Sequence, residues 1–383
     1  MRSERVMRVV VLGGGPAGLY FSLLLKKRHP EYGVEIFERD APGDTFGWGI
    51  VFSEQTFGFL RDQDRESYRP IITACQTWDN VDVIHRGQRV TIGGNRFSGI
   101  ARVLFLNLLQ RRCLELGVEI HFKTPIASVT ELEPFDLLVG ADGAGSLVRN
   151  TYEERFVPTV ELGRNFYIWL GTPHLFHGLT LILQTHPTGV YVAHAYKFSP
   201  QASTFIVECP PETWGSANLQ ALSDSAVCAH LAQVFQAQLE GQPLLSNNYV
   251  KWQRFPLIRN RHWSAGNVVL LGDALHTAHF SIGSGTKLAL EDAISLFECF
   301  ESQRQQVVPA LAEFERKRKP IVDRVQAAAG ASLEAFENLP QLVDLEPIEL
   351  AYRLMTRSGR IDHDKLRKRD PDFIARYQRH QRG

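Results

Sequence analysis

Cysteine is scarce and unpatterned: five residues, at positions 75, 113, 209, 228 and 299, form no C-x-x-C pair. An odd number at such spacings argues against a disulfide framework and against a structural zinc site, and no metal is expected. The thiols read as reduced residues of a cytoplasmic protein. Net charge is missing as well, with 42 basic side chains against 42 acidic ones. Without a basic field there is no electrostatic case for a nucleic acid or an anionic membrane surface as partner. No apolar run approaches the ~20 residues that cross a bilayer. The apolar stretch after the basic N-terminus breaks at Gly13 into further glycines rather than at a small-residue cleavage site. Repeats, low-complexity tracts and Gly/Ser linkers are also absent. The 383 residues therefore suit one large domain or two that share an interface.

What is present begins with a buried strand. Residues 8–12 (RVVVL) are a β-branched run, residues 16–27 have helical spacing of apolar side chains, and residues 34–38 (VEIFE) read as a second strand. Strand, glycine turn, helix and strand in about 30 residues make the βαβ unit of a parallel sheet. A helix over 101–116, stopped by Gly117, and strands at 118–122, 136–140 and 267–271 extend that layer, with a helix at about 286–302. Between about 155 and 262 the pattern changes to strands at 166–170, 179–184, 189–195 and 204–208, with one helical stretch at about 219–239. Strands without intervening helices predict an antiparallel sheet and a second layer.

Three glycine turns follow buried strands. The first, Gly13-Gly14-Gly15-Pro16-Ala17-Gly18, reads G-x-G-x-x-G between strand and helix. Gly13 permits the tight turn, Gly15 lets the backbone approach a pyrophosphate, and Gly18 allows the helix to pack close on the strand. Free N–H groups at the helix N-terminus, where Pro16 and Ala17 stand, hold phosphates without a lysine. Glu38 follows Gly18 by 20 residues at the end of the next strand, with Arg39 beside it. A carboxylate there accepts from a ribose diol and repels a 2′-phosphate, which favours FAD or NAD over NADP. The second turn, 140–146 (GADGAGS), carries Asp142; the third, 272–276 (GDALH), carries Asp273, with Gly283 and Gly285 just beyond. Taken alone, each aspartate is either a ligand of the sheet crevice or a turn-former and helix cap. The rest of the chain holds no second G-x-G-x-x-G, so a nicotinamide cofactor would bind transiently, without its own Rossmann domain.

The order and spacing of these motifs resemble the single-component flavoprotein aromatic hydroxylases, the group related to p-hydroxybenzoate hydroxylase. The resemblance implies one FAD extended across the first layer. Gly13, Gly15 and Gly18 would hold its pyrophosphate, Glu38 its adenosine ribose and Arg102 its phosphates. Asp273 would meet the ribityl chain, and Gly283 and Gly285 would lie near the isoalloxazine; Asp142 falls in a motif associated with both FAD and transient NADH or NADPH. The fold class implied is α/β, a Rossmann-like FAD-binding domain interleaved with an antiparallel-sheet substrate domain, followed by C-terminal helices. The corresponding boundaries are 1–75 with 100–155 and 265–300 for FAD, 76–99 with 156–264 for substrate, and 301–383 for the helical region.

Four stretches resemble a narrower branch: 46–53 (FGWGIVFS), 169–172 (WLGT), 276–287 (HTAHFSIGSGTK) and 356–370. They are similar to salicylyl-CoA 5-hydroxylases and to the hydroxylase half of anthraniloyl-CoA monooxygenases. This implies hydroxylation of an electron-rich aromatic, a CoA thioester such as salicylyl-CoA, by O2 through a flavin C4a-hydroperoxide. The end at residue 383, without a fused reductase domain, favours the stand-alone salicylyl-CoA type. A hydroxylase of a tryptophan-derived indole in violacein biosynthesis shares FGWG and HFSIG, so an indolic substrate is the alternative; a flavin-dependent reductase on the same scaffold is another.

Where many hydroxylases carry prolines beside the flavin, this chain has His279, Phe280 and Ser281. His279 and Ser281 are the candidate catalytic residues, His279 accepting the phenol proton because its ordinary pKa is near neutrality; the alternative is a structural histidine. Trp48, between Gly47 and Gly49, is the third candidate, on a loop over the flavin made mobile by its glycines; the alternative is a packed aromatic. Arg357, Arg360, Lys365, Arg367, Lys368 and Arg369 are candidates for the CoA phosphates, against the alternative of a solvated helix face. Self-association is expected to be as a homodimer.

Overall fold

The computed structural model describes residues 6–45, 47–247 and 251–382; Phe46 of the FGWG stretch lies outside them. A six-stranded sheet runs in the order Ser264–Ala265, Val268–Leu270, Leu137–Gly140, Arg8–Leu12, Gly33–Phe37, Glu119–His121. Every neighbouring pair is parallel except the short first one. Its central strand is uniformly apolar because both faces are covered: Val9, Val10 and Val11 are fully buried. Helix Pro16–Arg28 packs against helix Gly285–Ser302 and helix Arg102–Glu115. A Cβ at Gly18 would stand 2.2 Å from the Gly13 carbonyl oxygen and 3.0 Å from Val11, so only glycine lets this helix sit so close to the strand.

A seven-stranded sheet forms the second layer, in the order Gln253–Asn260, Pro158–Thr172, Ser203–Cys209, Gly189–Lys197, Leu179–His186, Val81–His85, Gln88–Ile92. It departs from the antiparallel expectation at one joint, where Leu179–His186 pairs parallel with Val81–His85. Residues alternate across this sheet. Ile168, Leu170, Phe205 and Val207 face a core closed by helix Asp224–Val234. The opposite face divides in two. Val81, Val83 and Leu181 pack under helices Pro347–Thr356 and Pro371–His380, while Tyr167, Trp169, His194, Tyr196, Thr204 and Glu208 turn toward the first layer.

A small sheet of Gly49–Ser53, Phe97–Ala101 and Gln76–Trp78 joins the layers. The 31-residue helix Val307–Glu337 braces them, with Phe314 in the core of the first layer and Phe336 in that beneath the second. Among the described residues no helix is long and apolar enough to cross a membrane.

Candidate active site

The first glycine turn is held open for a ligand. Gly13 adopts a φ of +108° and donates its N–H to Phe37 O at 2.9 Å, tying the turn to the neighbouring strand. Helix Pro16–Arg28 has no side-chain cap and no acidic residue in its first turn, so its leading N–H groups and positive dipole end are uncompensated. No protein atom lies within 4 Å of where a Cβ at Gly15 would stand. Glu38 sits on the turn itself: Gly14 N–H donates to it at 2.7 Å and Asp40 N–H at 2.9 Å. Arg39 is exposed, with Asp40 at 3.6 Å.

A second bare helix N-terminus opens Gly285–Ser302, again with neither a side-chain cap nor an acidic first turn. Gly285 has no neighbour within 4 Å of a would-be Cβ, and Gly283 holds a φ of +61° with Val51 at 3.7 Å. Asp273 stands in the preceding 3-10 turn, open to solvent in a cleft. Loss of surrounding water raises its pKa, opposed by Arg102 and His276. Arg102 donates Nε–H to Thr45 at 2.9 Å, and among the described residues its amino groups have no hydrogen-bond partner. A carboxylate and a guanidinium facing one cleft between two uncapped helices suit a ligand with hydroxyls and a diphosphate. These residues therefore fit FAD.

Asp142 does not join them as a free acceptor. Its carboxylate takes Ser146 Oγ–H at 2.5 Å and the N–H groups of Leu147 and Val148 at 2.6 and 3.3 Å. These three bonds tie Asp142 to the start of helix Leu147–Thr151, whose N-cap is Ser146, the turn-forming role of the two read for it.

The FGWG and WLGT stretches are two halves of one joint. A Cβ at Gly171 would lie 2.6 Å from the Trp48 ring, and one at Gly47 3.0 Å from the Trp169 ring. Each tryptophan thus lies on the other's glycine. Gly49 N–H donates to Thr204 at 2.9 Å, Tyr196 donates to Gly49 O at 2.8 Å, and Asn247 donates to Gly47 O at 3.2 Å. Trp48 therefore belongs to a loop seated on the substrate sheet, the packed alternative to a mobile one. It borders a hollow of about 410 Å³ shared with Thr45, Ala101 and Phe198.

His279 and Ser281 are buried in a hydrogen-bonded chain. His279 Nδ1 lies 2.8 Å from Ser281 Oγ, Ser281 Oγ lies 2.8 Å from Ser332 Oγ, and Arg357 Nε donates to Ser332 Oγ at 2.8 Å. Arg357 donates further to Ser281 O at 2.6 Å and to Leu354 O. Around the chain stand Phe280, Phe255 and Tyr167, with Phe280 4.9 Å from Tyr167 and Phe255 4.9 Å from His279 between ring centroids. A second pair, missed in the sequence, adjoins it: His194 Nε2 lies 2.6 Å from Glu208 Oε1, and Asn165 donates to the other Glu208 oxygen at 3.1 Å.

Burial, aided by Arg357 and opposed by Glu208, pushes His279 down to about 4. Unfolded, the same ring takes a proton as pH falls through about 6.5, while the folded protein refuses it. Stability is therefore present above pH 6.5 and is lost between 6.5 and 4, by about 3 kcal/mol. Burial opposes the charge on Glu208, but the bond and charge of His194 outweigh it and hold the carboxyl below its usual range, so its contribution falls in the same direction at lower pH. Urea unfolding at pH 7 and pH 4.5 measures this; equal stability at the two values contradicts it.

The charge run at 353–369 is largely committed within the protein. Arg357 is turned inward, Arg369 donates to Asn95 at 2.9 Å, and Lys365 and Arg367 pair with Asp362 and Asp364. Arg360 and Lys368 stay exposed.

A glycine-rich dinucleotide cradle on the first layer, with a cluster of aromatic side chains around His279, fits a flavoprotein. The FAD binding domain family matches residues 117–329. Salicyloyl-CoA 5-hydroxylase of a Streptomyces species is 40% identical over 97% of this chain and 73% of its own. The 3-hydroxy-4-methyl-anthranilyl-[aryl-carrier protein] 5-monooxygenase of Streptosporangium sibiricum is 38% identical over 93% of this chain and 95% of its own. A crystal structure of 2-methyl-3-hydroxypyridine-5-carboxylic acid oxygenase, at 19% identity, superposes with a TM-score of 0.74 over 97% of this chain and 98% of the other, which shows the shared fold. The chain belongs to the FAD-dependent aromatic monooxygenases, which use NADH or NADPH and O2.

Proposed function

We propose that the substrate is an aromatic acid carried as a neutral acyl thioester, of the salicylyl-CoA type, hydroxylated at ring position 5. The observation that carries this is the state of Arg357. It is one of the charges acting on His279, three of its five N–H groups are taken by Ser332, Ser281 and Leu354, and its charge is drawn to Glu208. A free carboxylate placed there would be desolvated without a partner, whereas a thioester carbonyl asks only for a hydrogen-bond donor. Two relatives whose names specify position 5 of an acyl group on CoA or on a carrier protein support the same reading.

FAD, once bound and reduced, supplies the activated oxygen. The chain's own residues then have three tasks. Gly15, Gly285, Glu38, Arg102 and Asp273 would hold the cofactor, the Trp48–Gly171 joint closes the cleft against water, and Phe280, Phe255 and Tyr167 would orient the ring. A cytoplasmic setting is supported by five free thiols, and a homodimer by Val160 and Leu162, an exposed apolar pair on one strand.

The test compares substrate-stimulated NAD(P)H oxidation and O2 uptake with salicylyl-CoA and with salicylate. Stimulation by the thioester should exceed that by the free acid about tenfold or more, the cost of a charge left without its partner. Equal stimulation by the two, or none by any aromatic acyl thioester, overturns the reading.

A further inference from the structure

The directions of the hydrogen bonds fix which nitrogen of each histidine carries the proton. Arg357 Nε–H is a donor only, so Ser332 Oγ accepts from it. The Ser332 hydroxyl is fully buried, and its remaining partner is Ser281 Oγ at 2.8 Å; leaving its proton unpaired would cost the desolvation of a buried donor. Ser332 therefore donates to Ser281, and Ser281 donates to His279 Nδ1. His279 is then the Nε2–H tautomer. A proton accepted at Nε2 could not leave along the chain either, because the chain ends on a guanidinium. On this polarity His279 presents an N–H at Nε2 rather than a lone pair.

The neighbouring pair has the opposite polarity. Glu208 is fully buried and ionised, so a neutral His194 donates Nε2–H to it at 2.6 Å and has a lone pair on Nδ1. Among the described residues neither His194 Nδ1 nor His279 Nε2 makes a hydrogen bond. Both rings flank Phe280, with centroids 5.3 and 4.1 Å from it. An ortho hydroxyl and carbonyl present two neighbouring groups, one to give a proton and one to accept a hydrogen bond.

We propose that His194, held by Glu208, takes the proton of the ring hydroxyl, while His279 donates its Nε2–H to the adjacent acyl carbonyl. This rests on the acyl-thioester reading above and assigns the two ends of that substrate. In the step, the phenol O–H bond breaks, its electron pair stays on oxygen as a phenolate, and the proton forms an N–H bond at His194 Nδ1. Glu208 remains ionised and stabilises the imidazolium, as a carboxylate orients a histidine base. The phenolate is the more nucleophilic ring. His194 is the catalytic residue and Glu208 the positioning residue. The titratable and charged groups around His194 are Glu208 from the adjacent strand, Tyr167 from the strand beyond it, His279 from the turn before helix Gly285–Ser302, and Arg357 from the end of helix Pro347–Thr356.

The probe is salicylyl-CoA carrying a nitro group at ring position 5, coloured only as its phenolate, titrated against FAD-loaded enzyme with binding read from the flavin absorbance. Wild type should bind it as phenolate at a pH where the free probe is mostly phenol. His194→Asn and Glu208→Gln should each move the bound titration up by about one pH unit or more, a tenfold loss of phenolate. His279→Gln, which keeps an N–H donor, should leave that titration in place. A wild-type enzyme that binds the probe as neutral phenol, or an unchanged titration in both dyad variants, overturns the assignment alone. No binding by wild type overturns the acyl-thioester reading and the dyad with it.

Discussion

Gly13→Val abolishes both FAD retention and the folded first layer, whereas Gly15→Val abolishes FAD retention and leaves the apoprotein folded. The two glycines stand two residues apart in one motif, yet their surroundings are opposite. At Gly13 the backbone adopts φ +108°, and a Cβ would stand 2.3 Å from Ala141 O and 2.8 Å from Asp142 N. Those are backbone atoms of the neighbouring glycine turn and cannot swing aside. Strain of the dihedral and of the contact together come to on the order of 4 kcal/mol. At Gly15 the backbone is extended, with φ −78°, and nothing lies within 4 Å of the added atom. A side chain there meets no protein but covers the N–H groups of helix Pro16–Arg28. Thermal melts of the apoproteins, with flavin absorbance after reconstitution, separate the two effects. Wild-type FAD affinity in Gly15→Val would sink the assignment of this turn as the pyrophosphate cradle.

The contrast between these glycines marks what local spacing can and cannot convey. The turn, its helix and Glu38 are near neighbours in the chain, so their geometry follows from a strand, a tight turn and a helix start within one βαβ unit. His279 and Ser281 were legible as site residues because they interrupt a glycine-rich helix start beside the third turn. The role of His279 was not, because its tautomer is set by Ser332, 51 residues from Ser281, and by Arg357, 76 residues from it. Asp142 looked alike as ligand or as cap, and its bonds to Ser146 and Leu147 are tertiary detail that spacing does not convey. The FGWG and WLGT stretches each stood out, but that each tryptophan covers the other's glycine is a tertiary fact. His194 and Glu208 left a signal that went unread: single ionisable residues in strands whose neighbours Ala193, Ala195, Val207 and Cys209 are all buried. A charge in such a strand is rarely buried without a partner. The parallel joint of Val81–His85 with Leu179–His186 left none, since strand order is not written in either strand.

Arg357→Met should be the most damaging single change outside the glycine turns, lowering stability on the order of 3 kcal/mol and hydroxylation by more than its effect on FAD retention. The guanidinium bonds Ser332 Oγ, Ser281 O and Leu354 O, stacks 5.0 Å from the Phe336 ring centroid, and is the cation that faces Glu208. Burial pushes its own pKa down to about 10 against the pull of Glu208, so it stays charged at neutral pH. Methionine preserves the packing on Phe336 but leaves three acceptors without a donor and removes one of the charges that Glu208 faces. The Ser332 hydroxyl is then free to accept from Ser281, the chain reverses, and His279 becomes the Nδ1–H tautomer with a lone pair toward the substrate. Loss of the positive charge also raises the His279 pKa, because Arg357 is one of the groups that lowers it. The acid-induced loss of stability between pH 6.5 and 4 should accordingly shrink in Arg357→Met, since folded and unfolded rings then titrate closer together. Urea unfolding at pH 7 and 4.5, beside steady-state hydroxylation and bound flavin, reads all three consequences. A variant with wild-type turnover, and with the same pH dependence of stability as the parent, would show that Arg357 merely fills space.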